Sequence, residues 1–208
     1  MDEIKTTQIL ENGLIELGLA MPVAPFFAYL QFLHKWNNAY NLTAIRKVED
    51  MAVRHVLDSL AVLPCLYGTK IIDIGSGAGF PGIPLALTCP DKQFVLLDSN
   101  GKKTRFLQEV KRRLKLLNVE IVHARAEHYR PENGFDTVIS RAFSDLQQML
   151  YWTRHLTAPG GIWLAMKGRY PASELLGLDV SFEVKHYEVP TLADERCAVI
   201  IHQQNERT

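Results

Sequence analysis

The sequence predicts an α/β protein: a mostly parallel seven-stranded sheet with helices on both faces, preceded by a helical N-terminal segment. Three observations carry that expectation. Residues 1 to 66 repeat apolar side chains at helical spacing without strand signals, and from Lys70 short apolar runs alternate with helical patterns. The first of those runs ends in a carboxylate followed by a dense set of glycines. Strands alternating with helices imply a parallel sheet whose ligands bind beyond the carboxyl ends of the strands.

Taken in order, Ile4, Leu10, Leu14 and Leu17 mark a first helix. Pro22 and Pro25 open a second, which carries Phe26, Tyr29, Leu30, Leu33, Trp36 and Tyr40; proline suits a first turn because no N–H donor is needed there. Helical segments continue from 48 to 58 and on to 66, and aromatic stripes at this spacing read mostly as core. Strands are expected near 70–74, 93–97, 119–122, 135–140, 161–167, 181–188 and 196–202. Only Val189-Pro190-Thr191 and a few further residues join the last two, so they form an antiparallel hairpin at one edge. Residues 1–66 are thus expected to form a helical cap packed on a ligand-binding core of residues 67–208.

Within that core, Ile71-Ile72-Asp73-Ile74-Gly75-Ser76-Gly77-Ala78-Gly79-Phe80-Pro81-Gly82 joins an apolar strand, a terminal carboxylate, a glycine-rich turn and a helix start. Glycine lets the backbone bend sharply and lets a ligand lie against the main chain, and a helix start offers free N–H groups. A second carboxylate, Asp98, follows Phe94-Val95-Leu96-Leu97 where the next strand ends and touches a ribose. The segment from Gly77 to Gly82 also satisfies the dinucleotide fingerprint G-x-G-x-x-G. In that register Asp73 repels a pyrophosphate, whereas S-adenosylmethionine, with an ammonium and a sulfonium, gains from a nearby carboxylate. The order Asp73, Gly75, Gly77, Gly79 resembles the first motif of class I methyltransferases, which are Rossmann-like. A nicotinamide enzyme and a tight turn without a ligand remain the alternatives.

At 208 residues, with 47% hydrophobic and 22% charged side chains, the chain suits one domain with a full core plus a small appendage. No run of eighteen apolar residues and no basic leader is present, so neither a transmembrane helix nor a signal peptide is expected, and the expected location is cytoplasmic. Cys65, Cys89 and Cys197 are odd in number and far apart, which fits neither disulfides nor zinc. The histidines show no ligand spacing either, so no metal is expected. Acids and bases balance at 23 each, yet residues 101 to 115 hold seven cations (Lys102, Lys103, Arg105, Lys111, Arg112, Arg113, Lys115) against Glu109. Phe106, Leu107, Val110, Leu114 and Leu117 recur there at helical spacing, giving an amphipathic helix whose basic face is either simply solvated or meets nucleic acid.

Several further pieces combine with the glycine motif. Trp36-Asn37-Asn38-Ala39-Tyr40-Asn41-Leu42-Thr43, Arg54-His55-Val56-Leu57-Asp58-Ser59, Leu97-Asp98-Ser99, Ile139-Ser140-Arg141-Ala142-Phe143, Met166-Lys167-Gly168 and Glu195-Arg196 resemble the signatures of the RsmG family, also called glucose-inhibited division protein B. The resemblance covers nearly the whole chain. It implies methyl transfer from S-adenosylmethionine to N7 of a guanine in the decoding-region loop of 16S ribosomal RNA. It further implies that Gly75 and Phe80 contact the cofactor, that Ala126 and Glu127 flank its adenine, that Arg141 sits at the cofactor end of the fourth strand, and that Asn41 and His55 reach over the pocket as a lid. Phe80 departs from the leucine often found there, and Cys197 lies at a variable place; both keep apolar volume.

The residues agree with that chemistry. Methylation of an exocyclic amine calls for an Asn or Asp followed by two prolines and an aromatic after the fourth strand, where this chain has Ser140-Arg141-Ala142-Phe143. Pyrimidine C5 methylation needs a cysteine nucleophile near the strand ends, and ribose methylation an Asp paired with Lys; Cys89 precedes the second strand and Asp136 opens the fourth. Guanine N7 carries a lone pair and no proton, so alignment matters more than a base. A bidentate arginine on O6 and N7 would cover the nucleophile, so an arginine must take O6 alone or phosphate. Arg125, Arg141, Lys167 and Arg169 fall at or beyond the ends of the third, fourth and fifth strands, placed for RNA or for ion pairs. Asn41 is placed to hydrogen-bond base or methionine and His55 to contact phosphate, while Phe143, Tyr40 or Trp36 offer stacking for a splayed base. The expected partner is 16S ribosomal RNA or the small subunit, met by a monomer. Another S-adenosylmethionine-dependent RNA methyltransferase, a nicotinamide oxidoreductase and a noncatalytic RNA-binding factor are the competing readings.

Overall fold

Side chains of a strand alternate between faces, and here that alternation divides one sheet into two cores. The computed structural model describes residues 2–141, 143 and 145–203. Its strands are β1 (Lys70–Ile74), β2 (Gln93–Asp98), β3 (Val119–His123), β4 (Phe135–Ser140), β5 (Thr157–Lys167), β6 (Phe182–His186) and β7 (Cys197–His202), in the order β3-β2-β1-β4-β5-β7-β6. β3, β2, β1, β4 and β5 run parallel, while β7 is antiparallel to both β5 and β6. Ile71, Phe94, Leu96, Ile139, Leu164 and Ile200 face one core; Ile72, Val95, Leu97, Val138, Trp163 and Val199 face the other.

The first core is shared with the N-terminal helices. α1 (Glu3–Glu16) and α2 (Ala24–Tyr40) contribute Leu10, Leu14, Phe26, Leu30 and Leu33 to the cluster that holds Ile71, Phe94 and Phe106. The cap therefore completes one layer of the sheet, together with α5 (Gly82–Thr88) and α6 (Gly101–Leu114). Between cap and sheet, α3 (Val48–Met51) continues through a wide π turn at Ala52–Leu57 into α4 (Asp58–Ala61). Gly13 leaves the notch that Leu57 enters, since a Cβ there would come within 2.3 Å of it. The opposite face is covered by α7 (Leu146–Thr153) and the short α8 (Ala172–Leu175). Among the described residues no helix is long and apolar enough to cross a membrane.

Two differences from the expected elements have physical reasons. β5 begins at Thr157 rather than near 161 because the breakers Pro159 and Gly160 are absorbed at a register shift between Phe135 and Thr137 on β4. The plain helix expected over 48–58 widens to a π turn, a geometry often found beside functional groups. The edge hairpin forms as expected, with β7 on its inner side.

Asn118 ties this layer together. Its buried Nδ2 lies 3.0–3.1 Å from the carbonyls of Ala86, Cys89 and Lys92, at the end of α5 and the entry to β2. Asn118→Ala leaves those carbonyls without their donor and is expected to lower stability by about 1–3 kcal/mol, read as an earlier urea midpoint with unchanged slope.

Candidate active site

The turn from β1 into α5 is braced from below by two carboxylates. Asp73 shares the face of Ile71, so strand alternation sends its side chain beneath the turn toward α5. It is fully buried; Oδ2 accepts from Gly82 N at 2.9 Å, and Oδ1 has no hydrogen-bond partner among the described residues. A Cβ at Gly82 would approach that Oδ2 to 2.8 Å, which is why the position needs glycine. Asp98 accepts from Gly77 N through Oδ2 and from Asn100 N through Oδ1, both at 2.8 Å. The expectation of a free helix start, and of Asp73 open to a ligand, is corrected here: α5's first N–H belongs to Asp73, which is enclosed beneath the turn, whereas Asp98 also holds backbone but still borders a cavity. Burial pushes Asp73 from the ordinary 3.8 up to about 7, against the pull of the Gly82 hydrogen bond and of Arg141.

The wall above the turn comes from the N-terminal helices. The buried Tyr29 hydroxyl donates to the carbonyl of Ala78, and its ring lies 5.2 Å from that of Phe80. Gly79, at φ +99°, has no room for a side chain, because a Cβ would meet the Tyr29 hydroxyl at 2.8 Å. The His55 ring also stacks on Phe80, at 4.4 Å and 21°, and the Arg141 guanidinium sits 5.5 Å from the ring centre. His55 Nε2 is 2.8 Å from Thr43 Oγ1 and Nδ1 is 3.2 Å from Arg141 Nη2. Burial, then the Arg141 charge, lowers His55 to about 3. It is neutral at physiological pH and packed on an aromatic ring, which corrects the phosphate contact expected of it.

Asp58 gathers the remaining cations. It is 3% exposed; Oδ2 lies 3.4 Å from Arg141 Nη1, while Oδ1 accepts from Arg196 Nε at 3.2 Å and from the Tyr187 hydroxyl at 3.4 Å. Burial raises Asp58, and Arg141 and Arg196 pull it down. The cluster joins the π-turn segment, the end of β4 and the hairpin. Arg54 and Arg196 both approach Asp194 at its rim, at 2.7 and 3.8 Å.

Three cavities run in a chain over these groups. The first, about 250 Å³, is lined by Ile74, Gly75, Asp98, Ser99 and Lys103 with Arg125, Ala126, Glu127 and Phe143. The second, about 170 Å³, lies over Gly75, Gly77 and Phe80, with Thr43, His55 and Arg141 as its roof and end. The third, about 250 Å³, is lined by Arg54, Asp58, Arg141, Lys167, Tyr187 and Arg196. Gly75 is common to the first pair and Arg141 to the second. A larger groove of about 990 Å³, between the end of α1 and the 186–196 turn, meets this chain only through Tyr187 and Arg196 and holds no residue of the glycine turn.

Most of the sequence-selected residues converge on this path, and some do not. Gly75, Gly77, Phe80, Asp98, Arg125, Ala126, Glu127, His55, Arg141 and Lys167 line it. Gly79 lies inside the turn against Tyr29. Lys167 is not a free cation: Nζ is 2.7 Å from Glu174 Oε2 and 3.1 Å from the Phe143 carbonyl. Asn41 ends α2 at φ 52°, is exposed, and accepts from Arg46 Nη2 at 2.7 Å, lining none of the three cavities. Trp36 and Tyr40 pack together, with Trp36 also against Phe32 and Phe106, rather than waiting for a base. Phe143 remains at the first cavity beside Trp152. Arg169 is exposed outside the path, and Ala142 of the fourth-strand motif lies outside the described residues. Tyr29, Asp58, Tyr187 and Arg196 were not selected as site residues; only the quoted segments holding Asp58 and Arg196 pointed toward two of them.

The donor set fits a cationic nucleoside. The first cavity joins apolar walls to a carboxylate edge, and the second is lined by the backbone of the turn that encloses Asp73, whose Oδ1 has no partner among the described residues. Sheet order, glycine turn and acidic end of β2 together define the class I methyltransferases, whose cofactor is S-adenosylmethionine. A SAM-dependent methyltransferase from Aquifex aeolicus has a similar fold, with TM-score 0.55, 17% identity, and coverage of 71% of this chain and 90% of that one. The chain belongs to the rRNA small subunit methyltransferase G family, which it matches over residues 23–199. It is similar to the ribosomal RNA small subunit methyltransferase G of Legionella pneumophila, 53% identical over 99% of each chain. The protein of that name from Coxiella burnetii is 50% identical over 91% of this chain and 95% of the relative.

Two measurements test the turn. Tyr29→Phe removes the hydroxyl that fixes the Ala78 carbonyl and is expected to weaken S-adenosylhomocysteine several-fold in calorimetry, with about 1 kcal/mol lost in stability. Asp73 supplies a pH dependence. Between the ordinary 3.8 and about 7 the folded state holds a proton that the unfolded state has lost, so burial of Asp73 makes stability fall as pH rises through that window. A cation resting on the turn favours the ionised carboxylate. Affinity for S-adenosylmethionine is therefore expected to rise with pH up to about 7 and then level off, and Asp73→Asn flattens the profile.

Proposed function

We propose that this protein methylates N7 of a guanine in the RNA of the small ribosomal subunit, using S-adenosylmethionine and acting as a monomer. The observation that carries the proposal is the chain of three cavities, in which the pair over the glycine turn and the end of β2 adjoins, at Arg141, a pocket lined by Arg54, Lys167 and Arg196. The relatives' shared name, ribosomal RNA small subunit methyltransferase G, supports the same substrate. When bound, S-adenosylmethionine supplies an electrophilic methyl group on a sulfonium. The protein's own residues do the positioning. Asp98, Ala126 and Glu127 line the first cavity, where they would border the adenosine, and Gly75 and Gly77 line the second.

Among the described residues lining the second and third cavities, no carboxylate or imidazole is free to act as a base. Asp58 is engaged by Arg141, Arg196 and Tyr187, and His55 is neutral and held between Thr43 and Arg141. That arrangement suits an acceptor that has a lone pair and no proton to lose, for which alignment supplies most of the rate. Arg141, fixed by Asp58 and the Arg54 carbonyl, places its charge where these two cavities adjoin and can hold guanine O6 while leaving N7 clear. Arg54, with its side chain 45% exposed at the rim and, among the described residues, paired only with the exposed Asp194, would exchange that partner for phosphate.

The test is transfer of labelled methyl to small-subunit ribosomal RNA, followed by digestion to nucleosides. Label recovered as 7-methylguanosine is the expected outcome; label on ribose, on a ring carbon or on protein alone would overturn it. Arg54→Gln is expected to fold normally, keep its S-adenosylhomocysteine affinity, and lose about tenfold in kcat/KM for RNA, the loss of one charged phosphate contact.

A further inference from the structure

We infer that the outward face of α6 is a second docking surface for RNA, one that grips the phosphate backbone beyond the three cavities. This rests on the reading of RNA as the acceptor. Seven cations lie between Lys102 and Lys115 against the single acid Glu109, in a chain whose net charge is zero. Burial of the helix uses the opposite face, through Thr104, Phe106, Leu107 and Val110. Three of the cations have local partners: Lys103 reaches to 3.9 Å from Asp98, Arg112 pairs with Glu109 at 3.0 Å, and Arg113 covers the Phe32 ring at 5.0 Å. Among the described residues Lys102, Arg105, Lys111 and Lys115 make no ion pair.

Helix stability accounts for only part of this charge. Cations in the last turn, Lys111, Arg112 and Arg113, are favoured by the negative end of the helix dipole. Lys102 and Lys103 sit in the first turn, at the positive end and with no acid beside them, where each costs a few tenths of a kcal/mol, and Arg105 follows just beyond it. Asn100 already caps that end by accepting from Lys102 N and Lys103 N, so these side chains are not needed for capping. At 100° per residue, Lys102, Arg105 and Arg112 fall on one outward stripe, and the helix is about 20 Å long, the span of several phosphates. The stripe begins at the rim of the first cavity, where Lys103 is a lining residue. A row of exposed cations along the helix, with Glu109 on the same arc already held by Arg112, matches a row of backbone anions. An RNA strand leaving the third cavity across the mouth of the site is thereby held at two separated places.

The experiment compares the wild type with Lys102→Gln/Arg105→Gln/Arg112→Gln. All three positions are exposed and outside the cavities. Affinity for a small-subunit ribosomal RNA transcript is measured across salt concentration, beside steady-state methylation and S-adenosylhomocysteine calorimetry. The triple variant is expected to bind RNA at least tenfold more weakly, with the slope of log K against log salt shallower by about two. KM for RNA rises, while kcat at saturating RNA and cofactor affinity stay as in the wild type. The charge-preserving Lys102→Arg/Arg105→Lys/Arg112→Lys variant restores binding, which separates charge from folding. Unchanged affinity and slope in the triple variant, with an active wild type, overturn the α6 surface and leave the methyltransferase reading standing. A defect seen with assembled subunits and absent with naked RNA also overturns it, since α6 would then meet ribosomal protein. A wild type that transfers no methyl to RNA removes the acceptor reading itself, and the α6 surface with it.

Discussion

The hydrogen bond from Gly82 N to the buried Asp73 carboxylate fixes the geometry on which the site depends. It ties the end of β1 to the first turn of α5 and so sets how far the intervening residues must fold back. Asp98 repeats the device one strand away, through Gly77 N, and Tyr29 closes it from above through the Ala78 carbonyl. Three polar groups, two from neighbouring strands and one from a helix of the cap, thus hold one turn. The arrangement is costly for Asp73, since moving a carboxyl from 3.8 to about 7 corresponds to on the order of 4 kcal/mol against the ionised form. A buried acid with one oxygen unpartnered among the described residues is stabilised in its ionised form by a positive charge brought to the turn above it.

The same logic explains why the N-terminal helices are a wall of the site and not a detached cover. Leu10, Phe26 and Leu30 share a core with Ile71 and Phe94, and Tyr29 and Phe80 are in contact. Loosening the cap therefore disturbs the glycine turn directly. His55 is placed by the same packing. Stacked on Phe80 and kept neutral, it transmits the position of the cap to Arg141 without adding a second positive charge beside it.

Sequence periodicity made the sheet legible because each strand carries apolar residues with a period of two and each crossover a helical pattern. Ile71 and Ile72 alone assign the two faces of β1. The glycine turn was legible as well, since only a backbone under steric constraint needs Gly79 and Gly82 where they stand. What the pattern concealed was direction and pairing. Asp73 lies in the motif, yet its period places it under the turn. Lys167 stands at the end of β5 as a candidate RNA contact, but Glu174, seven residues on, neutralises it. Asn41 looked like part of the lid; its left-handed backbone at the end of α2 turns it to Arg46. Asp58 and Arg196 are 138 residues apart, and nothing local in either segment announces the other.

That concealed cluster has a further consequence for the chemistry. A buried ion pair adds little stability by itself, because desolvation offsets the attraction, but removing one partner strands the other. Asp58 holds two arginines whose charges would otherwise repel across a small cavity, and both of its oxygens are occupied in doing so. An acceptor with a proton to lose would need that carboxylate free; an imidazole-type nitrogen does not. The acid is thus used to aim cations, and the third cavity is shaped to orient a base more than to deprotonate it.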